Sequence, residues 1–293
     1  RSGPEPLRAA HVLVTGASSG IGRATVLRLA ANGYHVFGGV LKSRDGAARA
    51  EAAGDVTPVI LDVTGAQQIA SAVELIAGHL GDAGLAGLAH NAGVGVFGPL
   101  ELIPIEQFRR QLEVNVSGRI AITQAALPLL RRAHGRIAMI DSTGTRFTPP
   151  FVGPLAASKS TLTTMSAALR QELAPWDIRV TVVEPGSIRS EAVDKLDSDA
   201  RAVMSEATAE GRALDENAFL HLVGSFARLH EGGSPPGNDP PDRPVREWFC
   251  STSRGTPAIL EQSRGSSHPR RHSNGLMTSP LTDEATAPNR RAA

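Results

Sequence analysis

The chain has 293 residues, 41% of them apolar and 20% charged, and a formal net charge of +1. That is enough chain to bury a core, in the composition of a soluble globular protein of one large domain or two small ones, with no charge imbalance pointing to nucleic acid. The single Cys250 excludes an internal disulfide framework and any cysteine-based zinc cluster, and it fits a reducing cytoplasm.

Residues 1–6 lack the apolar stretch of a secretory signal, and no apolar run is long enough to cross a bilayer, so neither secretion nor a membrane is expected. The run at 11–14 ends before Gly16 and reads as a buried strand. Residues 21–31 have apolar side chains at helical spacing, closed by Asn32-Gly33. A second strand is predicted at 34–41, an alanine-rich helix at 44–53, a third strand at 56–61 and a helix at 66–79. A fourth strand at 85–89 leads into Asn91-Ala92-Gly93. Residues 105–133 read as one long helix that Pro128 kinks in its last turns. A fifth strand at 136–140, a helix at 156–173 and a sixth strand at 178–183 follow, stopping at Pro185-Gly186. In 190–229, Phe219, Leu220, Leu222, Val223 and Phe226 have helical spacing. They read equally as a lid over an apolar substrate and as ordinary core.

Strands alternating with helices give βαβ units with right-handed crossovers, and so an α/β doubly wound parallel sheet. Ligands of such sheets sit at the carboxyl ends of the strands. This domain is expected over 8–230. Residues 232–241 are glycine- and proline-rich and fit neither helix nor strand, and the remainder has almost no apolar periodicity. The tail 231–293 therefore reads as disordered, either a genuine extension or the product of a shifted reading frame. Its arginine pairs are too sparse to suggest nucleic acid.

Thr15-Gly16-Ala17-Ser18-Ser19-Gly20-Ile21-Gly22 joins the first strand to the first helix. Glycines there let a pyrophosphate approach the backbone, and the helix N-terminus offers unpaired N–H groups to it. Asp62, in Leu61-Asp62-Val63-Thr64, has two open readings: acceptor of an adenine amino group, or cap of the next helix.

The turn, Asp62-Val63, Asn91-Ala92-Gly93, Asn115, Ser142, Lys159 and Pro185-Gly186 occur in the order of the short-chain dehydrogenase/reductase family, which residues 10–190 resemble. The resemblance implies a Rossmann-like domain, an NAD or NADP cofactor and hydride transfer between an alcohol and a carbonyl on a small molecule. It also implies an adenine contact at Asp62, a groove lined by Asn91, and nicotinamide contacts at Ile188 and Ser190. A further helix and a seventh strand, often part of an oligomer interface, are implied after this point, and neither is legible in the sequence. The end of the second strand, Val40-Leu41-Lys42, carries no acid to select NAD. Lys42, Arg44 and Arg23 could meet a 2′-phosphate or simply be solvated, which leans the choice toward NADP.

In the family a tyrosine moves the proton, a lysine lowers its pKa and holds the ribose, a serine polarises the substrate oxygen, and an asparagine positions a water. By motif position the last three are Lys159, Ser142 and Asn115, and Leu155 stands where the tyrosine is expected. The sole tyrosine, Tyr34, lies in the second-strand region. The proton step is thus expected to be altered, or the chain to be a silent nucleotide-binding protein. His90 and Asp141 also depart from the family pattern. His90 reads as a substitute acid or a packed histidine, and Asp141 as a local turn residue.

Overall fold

The computed structural model describes residues 10–42, 45, 55–142, 148–185 and 195–231. Six strands, β1 (His11–Val14), β2 (His35–Val40), β3 (Val56–Ile60), β4 (Gly87–His90), β5 (Arg136–Ile140) and β6 (Arg179–Val183), form one sheet. All neighbouring pairs are parallel and the order is β3-β2-β1-β4-β5-β6. The order reverses between β1 and β4, which places a switch point at their carboxyl ends. This is the Rossmann-like doubly wound sheet expected from the sequence.

The helices are α1 (Gly20–Ala31), α2 (Ala66–Leu80), α3 (Ile105–Leu112), α4 (Gly118–Ala133), α5 (Gly153–Glu172), α6 (Leu196–Glu206) and α7 (Ala209–Glu231). Alternation along the strands sends successive side chains to opposite layers. Leu13, Phe37, Leu88, Ile137 and Val180 join α2 and α4 in one core. Val12, Val14, Val36, Ala89 and Ala138 join α1 in the other. Both faces are covered, so the strands read as continuous apolar runs.

Three boundaries depart from expectation. The predicted helix at 105–133 is interrupted by a π-helical turn at Glu113–Ser117, while the helix runs on through Pro128. Its departure from α geometry therefore falls at Asn115 and not at the proline. The helix predicted from 156 begins at Gly153, with Pro154 in the first turn, where a missing N–H costs nothing. Leu155 consequently lies inside that first turn. The segment after β6 forms α6 and α7, which pack with Phe97, Leu102, Ile103 and Phe151 in an apolar cluster of their own. The helix predicted at 44–53 lies outside the described residues apart from Asp45, as does the tail beyond Glu231. Contacts divide the chain at Arg254 into two units, and the second falls wholly outside the described residues.

Candidate active site

The first cluster of predicted residues meets where β1 and β4 end. Thr15 is fully buried, and its Oγ1 accepts hydrogen bonds from the Asn91 N–H at 3.1 Å and the Ala92 N–H at 3.0 Å. Asn91 Nδ2 donates to the Gly16 carbonyl at 2.9 Å. Gly16 has φ +63°, and a Cβ there would lie 2.8 Å from Ala92 Cα; one on Gly22 would overlap the Gly16 carbonyl. Two glycines thus allow the turn to lie flat on the start of α1. No side chain caps that helix at Ser19, so its first-turn N–H groups are open to an anion. These residues fit a dinucleotide pyrophosphate.

Asp62 does not cap α2, whose N-cap is Gly65. Its Oδ1 instead accepts from the Thr64 N–H at 2.9 Å and the Thr64 hydroxyl at 2.7 Å, closing a local turn. Val63 is buried beneath it. No acid stands at the end of β2, where Leu41 and Lys42 are exposed, as is Arg23.

The second cluster lies at the ends of β4 and β5, against the π-turn and α5. Asn115 is fully buried. It holds the loop after β4 through Val94 N–H to Oδ1 and Nδ2 to the Val94 carbonyl, both 2.9 Å. Its Nδ2 also reaches Ser158 Oγ at 3.0 Å, and that hydroxyl donates to the Leu155 carbonyl at 2.8 Å. Lys159 Nζ donates to the Ile140 carbonyl at 2.9 Å and contacts the Asp141 carbonyl at 3.4 Å. Desolvation, and then the Arg119 charge, lower its pKa to about 7 against the opposing pull of Asp141. Ser142, half-buried, follows Asp141 directly.

Asp141 is buried and does more than make a local turn. Its Oδ2 accepts the Thr163 hydroxyl of α5 at 2.7 Å, while Oδ1 has no partner among the described residues. Burial raises its pKa, against Thr163, Lys159, Arg119 and the Ser142 backbone. His90 is fully buried and its Nε2 lies 2.9 Å from Thr123 Oγ1. Thr123 donates its own proton to the Arg119 carbonyl, so Nε2 is the protonated ring nitrogen. Burial and Arg119 hold the imidazole pKa at about 3. His90 is therefore a packed neutral histidine, bonded through Nε2 to a hydroxyl while its Nδ1 has no partner among the described residues, and no proton donor near neutrality.

Arg119 and Ser158 went unread in the sequence. Arg119 is almost completely buried. Nη1 donates to the Ile140 carbonyl at 2.8 Å and Nη2 to the Ala92 carbonyl at 2.9 Å. It thereby joins the lysine's anchor to the nucleotide turn. The signal was present: Asn115, Arg119 and Thr123 recur every four residues, one polar stripe on a helix whose neighbours are apolar. Pro185 ends the described stretch after β6, and Gly186, Ile188 and Ser190 lie outside the described residues.

Residues 10–201 match the family model of the short chain dehydrogenases. The chain belongs to the short chain dehydrogenase family. It is 37% identical over 194 residues to an NADPH-dependent 3-dehydrocapnine reductase of Ornithobacterium rhinotracheale, covering 64% of this chain and 69% of that one. It is 34% identical over 212 residues to a 3-amino-tetrahydro-pyrrolizinone reductase of Xenorhabdus hominickii, covering 72% and 73%. A solved short-chain dehydrogenase from Streptomyces avermitilis superposes with a TM-score of 0.68 at 26% identity, covering 85% of this chain and 86% of its own. Short chain dehydrogenases are oxidoreductases that bind NAD or NADP and act on small molecules. None of the described helices is long and apolar enough to cross a membrane, and no group of metal-ligating side chains occurs among the described residues.

Proposed function

We propose that this short chain dehydrogenase interconverts an alcohol and a carbonyl on a small apolar substrate, with Lys159 handling the proton in place of a tyrosine. The observation that carries the reading is the placement of Lys159 Nζ, held at the end of β5 by the Ile140 carbonyl with a pKa near 7. An amine of that acidity exists in both charge states at neutral pH, as general acid–base work requires. Leu155 offers no competing group.

Thr15, Gly16, Ser18, Ser19, Gly20, Ile21 and Gly22 would cradle the pyrophosphate, Asp62 and Val63 would face the adenine, and Asn91, Ala92 and Gly93 would line the groove. Pro185, Gly186, Ile188 and Ser190 would flank the nicotinamide. A dinucleotide held there supplies or accepts the hydride. Lys42 and Arg23, the missing acid at β2 and the NADPH-dependent relative favour NADP. Ser142 would donate a hydrogen bond to the substrate oxygen. Lys159 would deliver the proton that the developing alkoxide requires, or remove it in the reverse direction. Asn115 keeps the α5 register through Ser158, and a water between Ser142, Asn115 and Lys159 would complete the path. Phe97 and Phe151, only partly buried at the edge of the apolar cluster of α6 and α7, support an apolar substrate.

The second reading, a silent nucleotide-binding protein, rests on Leu155 alone. Turnover of a panel of alcohols and ketones with NADP(H) and NAD(H) separates the two. Measurable activity that falls by about 10²–10⁴ in Lys159→Ala is expected. No turnover until Leu155→Tyr is introduced would establish the silent protein.

A further inference from the structure

Arg119 is the largest of the fully buried side chains, and no direct ion pair among the described residues explains its burial. Its bonds go to two backbone carbonyls, Ile140 and Ala92, and its Nε has no partner among the described residues. The Ile140 carbonyl is also the main acceptor of Lys159 Nζ, at 2.9 Å. One oxygen therefore receives a guanidinium and an ammonium, which its two lone pairs allow. Two cations within two hydrogen-bond lengths of each other in a desolvated site repel strongly.

We propose that Arg119 is a positioning residue for the proton step: by occupying the Ile140 carbonyl beside Lys159 it makes the lysine the group that releases its proton.

The charge balance supports this. Arg119 stays cationic at neutral pH even though burial lowers its pKa to about 10. Asp141 is the carboxylate that acts on both cations. One anion cannot balance two buried cations, and the guanidinium is the worse acid, so the amine yields. Among the described residues, few charged groups face Lys159 from the surrounding elements. α4 brings Arg119 and the end of β5 brings Asp141; His90, at the end of β4, acts with Arg119 and is neutral. Glu184 follows β6 on the neighbouring strand. On α5 itself the nearest polar side chains, Ser158 and Thr163, are uncharged. Arg119 further ties this balance to the nucleotide turn, because its second carbonyl belongs to Ala92, whose N–H is held by Thr15.

The inference deepens the reading of Lys159 as the proton carrier, and it is tested without turnover. The chain has three lysines, Lys42, Lys159 and Lys195. In the full chain labelled with ¹³C at the lysine ε carbon, three resonances can be followed against pH and assigned with Lys42→Arg and Lys195→Arg. One resonance is expected to titrate near neutrality in the parent protein. Arg119→Gln and Arg119→Met should each raise the proton affinity of Lys159 at least tenfold, and Arg119→Lys, which keeps the charge, should change it less than threefold. The two neutral variants differ in shape, so either one that folds carries the test. An unmoved midpoint in the folded neutral variants, a rise in Arg119→Lys as large as theirs, or an ordinary lysine midpoint in the parent overturns the proposal. A protein that shows the expected titration yet turns nothing over contradicts the functional reading alone.

Discussion

The two ends of this site are built from different materials. The nucleotide turn between β1 and α1 is made of backbone, glycines and one buried hydroxyl, and its polar atoms meet one another at 2.9–3.1 Å. The charged end against α5 is made of a guanidinium, an ammonium and a carboxylate, and both Arg119 Nε and Asp141 Oδ1 are without partners among the described residues. The first region depends on space and the second on charge. Substitutions in the first should act through sterics at any pH, whereas those in the second should act through titration.

The largest effect is expected where space is tightest. In Gly22→Ala the new methyl must share its position with the Gly16 carbonyl and Asn91 Nδ2. Backbone has to move, so a loss of about 3 kcal/mol or more in denaturant unfolding is expected, independent of pH. Dinucleotide affinity, followed by fluorescence titration, should fall by at least about tenfold alongside it. A variant of unchanged stability and affinity would break the claim that close approach shapes this turn.

The charged end should show the opposite signature. Lys159 has a folded pKa of about 7 against about 10.4 in the unfolded chain. The unfolded state therefore binds the extra proton between those values, and stability rises with pH across that window. It is fully present above about 10.4 and is lost as pH falls toward 7. Between pH 7.5 and 9.5 the gain should reach about 2 kcal/mol, from a slope of at most about 1.4 kcal/mol per unit. Lys159→Met should abolish the rise in urea midpoints. A parallel curve for the variant would mean that the amine is not desolvated.

His90 tests the same contrast from the acid side. Its folded pKa of about 3 lies below the unfolded value of about 6.5. The contribution is constant above 6.5 and is lost as pH falls toward 3, by roughly 1 kcal/mol between pH 6.5 and 5.5. Over that step the difference between the parent and His90→Gln should shrink by this amount. Histidine elsewhere titrates in both proteins and cancels in the difference.

Legibility followed the same division. The β1–α1 turn could be read because glycine spacing, a preceding strand and a following helix are local features. The sheet could be read because both its faces are apolar. The charged end could be read only in part: Lys159 stood in a motif, whereas Arg119 and Thr163 join it and Asp141 only through folding. His90 was ambiguous for that reason, as its partner Thr123 is 33 residues away. The local reading of Asp141 was incomplete: it bonds the Ser142 backbone, but its acceptor role toward Thr163 spans 22 residues. The π-turn at Asn115 left no proline or glycine signal inside it, and Pro128 drew the expected kink instead.

The smallest effect bears on whether the charged end behaves as one unit. Thr163 supplies the only side-chain hydrogen bond seen at Asp141 among the described residues. Thr163→Val keeps the shape and removes the donor, which should cost about 1–2 kcal/mol. It should also raise the Asp141 pKa further, since that bond favours the carboxylate. Asp141 then takes up its proton at higher pH and supports Lys159 less, so the lysine titration should move down, opposite in sign to the Arg119→Gln shift. The displacement should be a few tenths of a pH unit, because Asp141 is the least of the influences on Lys159. If stability falls while the Lys159 resonance holds still, Asp141 and Lys159 are independent, and the charged end is two sites that happen to adjoin.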